Sequence, residues 1–580
     1  MKNNLKVVSF KRSPAYVHHR AMMNRRDNNV IDALELMRRA VEASPENREY
    51  RLDLAELYCE MGCHEQSTRL LLDMLAEDDG PSECYYGLAL NQLGMNDIIG
   101  ARKSLSLYRR RDPEGAHSEE VRALDAELDL YTEMNYPANR RLRRAACIAD
   151  RACEAMKSDM PDKACRLFER SLELASEQYD MRALYAMALL IRGDAEAARR
   201  EAERASAGYP PSVRALCVCS QVYALMGDER ASRALIGRAM KEKPEGQDLR
   251  LMIYALGELG MDDEVAEYVR LALRETPFDK DLLHMRAVAL NRTGTPDIRV
   301  ARFWARILRI DPEDSVAQFY QEAAVKGELR RYSPEYGYQV PREEFERRLH
   351  ALVGQLSRGY ERLEQTWRED PEFRQLVRWA VGTEEARLRR AAMTALSTID
   401  HSESRSLLRF LLFNGEISDE LKLHAAIALQ LLGVDADAIM PERTGFGLGF
   451  MPDAKAMLSG IGVGERQLVR YADEVLRDEY DIAAMPQLLL MWSAYRQLRG
   501  TSVDPLRCVG GGAAALAYNY MLLYGPKPDI HRLAEQFGCD ARQMVYYARR
   551  IAGCLEKIPG NGFKRPTPED RIGETPDENP

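Results

Sequence analysis

The chain has 580 residues, 46 % of them apolar and 30 % charged, enough to bury the cores of several domains or of one long repeat array. A formal net charge of −9 argues against nucleic-acid binding by the chain as a whole and confines any such role to a local surface. No run of about twenty apolar residues occurs, which excludes a helical membrane span.

Residues 1–14 form a polar arm. The first twenty residues, MKNNLKVVSFKRSPAYVHHR, lack the apolar core and the small-residue cleavage site of a secretory signal. His18 and His19, near its end, have no partner evident from spacing. The eleven cysteines (59, 63, 84, 147, 153, 165, 217, 219, 508, 539 and 554) are odd in number and irregular in spacing. Reduced thiols and a cytoplasmic location are therefore expected.

From residue 15 a period governs the chain. Ala33, Met37, Ala40 and Pro45 recur as Ala198, Ala202, Ala205 and Pro210. The set returns as Ser232, Ile236, Ala239 and Pro244, then as Val265, Val269, Ala272 and Pro277, and more loosely up to Ile307 and Pro312. Gly193, Gly227, Gly260 and Gly294 follow at intervals of 34, 33 and 34 residues, and Gly62 and Gly94 are expected to keep the same step. Helix formers dominate and β-branched residues are sparse, so each period reads as helix, glycine turn, helix, then a proline stop. Small residues at Ala55, Ala186, Ala198, Ala205 and Ala239 let helices approach closely, while Tyr58 and Tyr223 fill wider gaps.

This grammar resembles the tetratricopeptide repeat family over most of residues 15–326. The resemblance implies an α-solenoid, a right-handed superhelix in which no repeat buries its apolar face alone. Repeats are expected at 15–113 and 141–326. Residues 114–140 (EGAHSEEVRALDAELDLYTEMNYPANR) break the register and read as an irregular helical insert or a hinge. The basic run RRLRR at 140–144 then reads as a solvated helix face or as contact for an acidic partner. In the family, the first helix of each repeat lines the concave face. Carried over by register, that gives Arg214 and Gln221, then Gln247, Arg250 and Tyr254, then His284 and Asn291 as candidate groove residues for an extended protein or peptide ligand.

The grammar changes near 327. RRYSPEYGYQVPREEF is a connector bearing proline and tyrosine. In 327–435, Ala391, Ala392 and Ala395 recur 34 residues later as Ala425, Ala426 and Leu429, which reads as HEAT-like repeats or as other helical hairpins. A glycine-rich linker is expected over 436–465. Its Gly460, Gly462 and Gly464 meet no nucleotide-binding fingerprint, because no strand precedes them and no Lys-Ser/Thr pair follows.

Residues 466–558 form a small C-terminal helical domain. Within it, 529–551 fits a helix-turn-helix pattern, with Ala534 at the helix crossing, Gly538 in the turn and Asp540 capping the second helix. The stretch resembles the helix-turn-helix of bacterial regulators. That resemblance implies base contacts from Arg542, Gln543 and Tyr546 and phosphate contacts from Arg549 and Arg550. Against it, residues 529–558 hold five basic and four acidic residues, a weak basic footprint. The charged, proline-rich tail 559–580 is expected to be disordered.

No catalytic constellation stands out. Cys59, Cys63 and His64 have near-metal spacing without a second ligand pair, and Cys217 and Cys219 fall on different helix faces. Acid pairs such as Asp262–Asp263 read as solvated helix starts. The reading is an all-α, non-enzymatic scaffold needing no cofactor, with a transcription regulator built on the same parts as the alternative.

Overall fold

The computed structural model describes residues 13–434 and 463–555, leaving out 78–79, 136–139, 158–159, 357–359, 384, 415–416, 418, 481–483, 500–508 and 525–527. The expected glycine-rich linker falls almost wholly outside the described residues, as does the C-terminal tail. No strand occurs among the described residues. The chain divides into two compact units, Met1–Ala146 with Ser171–Pro341, and Cys147–Arg170 with Arg342–Pro580.

The first unit is built of helical hairpins. They begin with α1/α2 (Pro14–Arg26, Val30–Ala43), α3/α4 (Arg48–Glu60, His64–Leu75) and α5/α6 (Glu83–Gly94, Ile98–Arg111), followed by a single helix α7 (Ser118–Asn135). The chain then runs through α8/α9 (Arg140–Lys157, Pro161–Leu174), of which Cys147–Arg170 belong to the second unit. It returns to the first with α10/α11 (Tyr179–Arg192, Ala195–Ser206) and α12/α13 (Val213–Leu225, Glu229–Lys241). The last hairpins are α14/α15 (Gly246–Glu258, Asp262–Glu275) and α16/α17 (Lys280–Arg292, Asp297–Ile310). Helices α18 (Ser315–Lys326) and α19 (Leu329–Tyr332) end the series.

The turns explain the spacing. Gly62, Gly193, Gly227, Gly260 and Gly294 all have positive φ, a conformation glycine adopts without strain. The next residues cap the second helix: Asp194 Oδ1 accepts from the Ala197 amide at 3.1 Å, and Asp228 Oδ1 from the Ala231 amide at 3.0 Å. Gly94 departs from the expected step. It is the last residue of α5, and Asn96, with φ +60°, takes the left-handed position. Glycine is needed at 94 for another reason: a Cβ there would lie 2.1 Å from Nε2 of His64. Ala33, Ala40, Ala55, Ala186, Ala198, Ala205 and Ala239 are buried, as close helix packing requires.

The break at 114–140 contains one long helix. Val121 and Leu128 of α7 pack with Ala89, Leu105 and Tyr108. Arg109 and Arg102 of α6 pair with Asp125 and Asp129 of α7, each at 2.6 Å. His18, whose spacing suggests no partner, lies in α1, stacks on Tyr50 and contacts Asp53 at 2.6 Å. The first hairpins also meet the last. Ile310, at the end of α17, is buried against Leu34, Met37, Leu57 and Tyr58. Arg38 donates to the Tyr58 hydroxyl at 2.8 Å and to the Arg309 carbonyl at 3.1 Å.

The second unit contains α20 (Arg342–Leu356), α21 (Tyr360–Glu369), α22 (Pro371–Gly382), α23 (Ala386–Thr398), α24 (Ser402–Phe413) and α25 (Asp419–Leu431). Beyond the undescribed stretch come α26 (Val463–Tyr480), α27 (Met485–Arg499), α28 (Val509–Tyr524), α29 (Ile530–Gln536) and α30 (Ala541–Leu555). One apolar core runs from Leu352 to Ile551, so the alanine-bearing hairpins and the C-terminal helices share it. Ala392 and Ala395 of α23 and Ala425 and Ala426 of α25 are fully buried in it.

Candidate peptide groove

The first helices of successive repeats in the first unit are cross-tied by polar side chains. Arg214 of α12 faces Asp248 of α14 at 4.0 Å. Gln221 hydrogen-bonds Glu258, whose carboxyl burial raises above its usual range. Arg250 of α14 donates to Asp279 at 2.5 Å, and Asp279 in turn caps α16 through the Leu282 amide at 3.0 Å. Asn291 donates to Asp297 at 2.9 Å, and the other oxygen of Asp297 takes the Leu329 amide at 3.2 Å. Four of the groove candidates thus hold neighbouring structure in place. Gln247 and Tyr254 are exposed, and burial together with Asp281 pushes the Tyr254 phenol up to about 12.

His284 differs from the rest. It is fully buried, and Trp304 Nε1 donates to its Nδ1 at 3.1 Å. That contact fixes the proton on Nε2, which donates to the Glu335 carbonyl at 2.9 Å. Burial pushes the imidazole down to about 4, so it is neutral near pH 7. Tyr320 stacks on Trp304 with centroids 5.2 Å apart and donates its hydroxyl to the Gln339 carbonyl at 2.9 Å. Arg292 donates to the Pro334 carbonyl at 2.9 Å. Three main-chain carbonyls of one connector are therefore gripped by side chains of α16 and α18.

Residues 333–340 contain no helix, and their burial alternates. Ser333, Glu335, Gly337 and Gln339 are exposed, whereas Pro334 and Val340 are buried and Tyr336 and Tyr338 half-buried. That is the period of an extended chain with one covered face. Tyr336 donates to Asp262 and lies under the Arg292 guanidinium, 4.7 Å from ring centre to Cζ. A Cβ at position 257 would stand 3.0 Å from the same ring, so Gly257 makes room for it. Tyr338 meets His284 edge to face at 5.2 Å, and Lys280 Nζ stands 5.4 Å from the tyrosine ring centre.

Composition and period do not point to Asp262, Arg292, Trp304, Tyr320, Tyr336 or Tyr338. Asp262, expected as a solvated helix start, accepts the Tyr336 hydroxyl. The one signal in the sequence is the pair of tyrosines two apart in a segment without helical pattern.

The thiol candidates do not converge. Cys63 Sγ donates to the Met61 carbonyl at 3.8 Å, and His64 Nδ1 lies 3.3 Å from Asn91 Oδ1. Burial pushes the Cys59 thiol up to about 11 and those of Cys63, Cys217 and Cys219 up to about 12. No group of three potential metal ligands occurs among the described residues. Nor is any described helix long and apolar enough to cross a membrane.

In the second unit, Asp540 Oδ1 accepts the Gln543 amide at 3.0 Å and Gly538 has φ +59°. Leu533, Ala534, Phe537, Met544 and Ala548 enter the core. Arg542, Gln543, Tyr546 and Arg549 are exposed on α30, and Arg550 lies over the Tyr546 ring at 4.8 Å. Arg143 and Arg144 of the basic run are exposed in the part of α8 that belongs to the first unit.

Residues 25–90 match the tetratricopeptide repeat family. A curated relative, the TPR repeat-containing protein YvcD of Bacillus subtilis (strain 168), is 33 % identical over 131 residues, 22 % of this chain. Those residues are 27 % of the relative, so the chain spans about a quarter of its length. Among solved structures, a chain titled "Structure of Naa15/Naa10 bound to HypK-THB" aligns over 94 % of this chain and 89 % of its own, at 13 % identity and a TM-score of 0.28. The chain is an all-α solenoid that carries tetratricopeptide repeats.

Proposed function

We propose that the first unit is a non-enzymatic scaffold whose first-helix face binds a protein partner through an extended segment. The observation that carries this is the seating of 334–340, held at the carbonyls of Pro334, Glu335 and Gln339. Carbonyl recognition does not depend on side-chain identity, so a face built for it suits polypeptide in general. The ties Arg214–Asp248 and Arg250–Asp279 hold the repeats in register, which lowers the ordering cost of binding. A photo-crosslinking residue at Gln247, in the full chain, tests the reading. A discrete protein adduct that Tyr254→Ala abolishes is expected; adducts indifferent to Tyr254 would sink the idea.

A second reading attaches to the exposed face of α30. Arg542, Arg549 and Arg550 share that helix with Gln543 and Tyr546, residue types suited to phosphate and base contact. It makes the second unit a DNA-contacting module and the repeats its sensor.

A further inference from the structure

We infer that the face formed by α14 to α18 is a receptor for extended segments of the pattern Pro-x-Tyr-x-Tyr-x-Val, and that residues 334–340 are its resident occupant, which a partner must displace. The inference rests on the scaffold reading above and names the partner's chemistry.

Two built slots define the pattern. The first accepts Tyr336: Asp262 takes its hydroxyl, Arg292 covers its ring, and Gly257 leaves the space a Cβ would fill. The second accepts Tyr338 between His284 and Lys280. Side chains two apart in an extended chain point to the same face, so the slots read alternate residues. The positions between them face solvent and are free to vary. Pro334 and Val340 are buried at the two ends of the pattern.

The segment behaves as a ligand on this surface. Within 333–340, the backbone hydrogen bond from Gln339 to the Gly337 carbonyl at 2.8 Å is its own; its other hydrogen bonds described above are to the receptor helices. The receptor groups come from α14, α15, α16, α17 and α18, far from the segment in sequence: His284 and Glu335 are 51 positions apart, Tyr336 and Asp262 74. Because the occupant is tethered by a short link from α18, its effective concentration is of order millimolar, and a free ligand competes poorly until the tether contacts weaken.

The test uses the full chain and a labelled synthetic peptide of residues 331–343, followed by fluorescence anisotropy. The Tyr336→Ala/Tyr338→Ala chain should bind the peptide at least ten-fold more tightly than the unaltered chain. A peptide carrying the same two alanines should not bind. If the altered chain loses its helical circular dichroism, hydrogen exchange of 333–340 in the unaltered chain replaces it, and excess peptide should accelerate that exchange. No binding by the folded double variant, or unchanged exchange under excess peptide, overturns the inference. The crosslink at Gln247 reports on the neighbouring exposed surface. An adduct there without peptide binding would make 334–340 a plain connector while leaving the scaffold reading intact.

Discussion

Arg309 and Glu35 are 274 positions apart in the chain, and their side chains are 2.8 Å apart in the structure. Arg309 also reaches Asp32 at 2.8 Å, so the last repeat is tied to the first hairpin. These groups are about half exposed, and exposed ion pairs contribute ~0–1 kcal/mol. Ile310 is 4 % exposed in the apolar cluster beneath them, and deleting a buried side chain of that size costs about 2–5 kcal/mol. The apolar contact therefore outweighs the ion pairs. Arg309→Ala should leave hydrogen exchange in α2 nearly unchanged, whereas Ile310→Asp should accelerate it there, far from the substitution in sequence. Acceleration confined to α17 would show that the two ends do not stabilise each other.

His284 makes the stability of the first unit pH-dependent. Burial lowers its pKa from 6.5 to about 4, so between those values the unfolded chain takes up a proton that the folded chain refuses. The contribution is complete above pH 6.5 and is lost as the pH falls toward about 4, reaching about 3 kcal/mol at 1.36 kcal/mol per pH unit. Asp281 and Asp314 oppose it, since burial raises both carboxyls and favours the folded state as they protonate. The comparison that isolates the histidine is His284→Gln, which keeps a donor for the Glu335 carbonyl but does not titrate. Its melting temperature should fall less than that of the unaltered chain between pH 6.5 and 4. Parallel curves would remove His284 as the cause.

Two glycines separate backbone from packing. Gly227 has φ +80° and nothing within 4 Å of where a Cβ would stand, so Gly227→Val should cost about 1–2 kcal/mol from the left-handed backbone alone. Gly94 is helical. Gly94→Ala would push the His64 ring off Asn91, a loss of about 1 kcal/mol that His64→Ala should relieve in combination. Thermal melting of the four variants checks both, and additive effects at 94 and 64 would refute the coupling.

The same contrast shows what was legible. The repeat was readable because close helix packing forces small residues such as Ala198 and Ala239 into a fixed period, and because left-handed turns select glycine. Asn96 escaped, since asparagine tolerates the same conformation and leaves no glycine to count. The groove was located by register, yet Arg214, Arg250 and Asn291 are engaged by neighbouring carboxylates that register alone does not reveal. The seat of 334–340 was hidden for a further reason. Its main-chain carbonyls carry no sequence signature, and its tyrosine slots join residues up to 74 positions apart.

The face of α30 yields the last prediction. Arg542, Gln543, Tyr546 and Arg549 are exposed while Leu533, Phe537 and Met544 are buried, so substitutions on that face should not disturb the core. If the second unit contacts DNA, the full chain should bind random duplex DNA by fluorescence anisotropy with an affinity that falls steeply with salt, because counterions are released from the phosphates. Arg542→Ala/Arg549→Ala should then lower the affinity at least ten-fold and shallow the salt slope by about two, one per lost phosphate contact. The net charge of +1 over 529–558 weighs against strong binding, so low salt is the demanding condition. No binding there would make the α29–α30 turn a packing device, and partner searches would belong to the repeats alone.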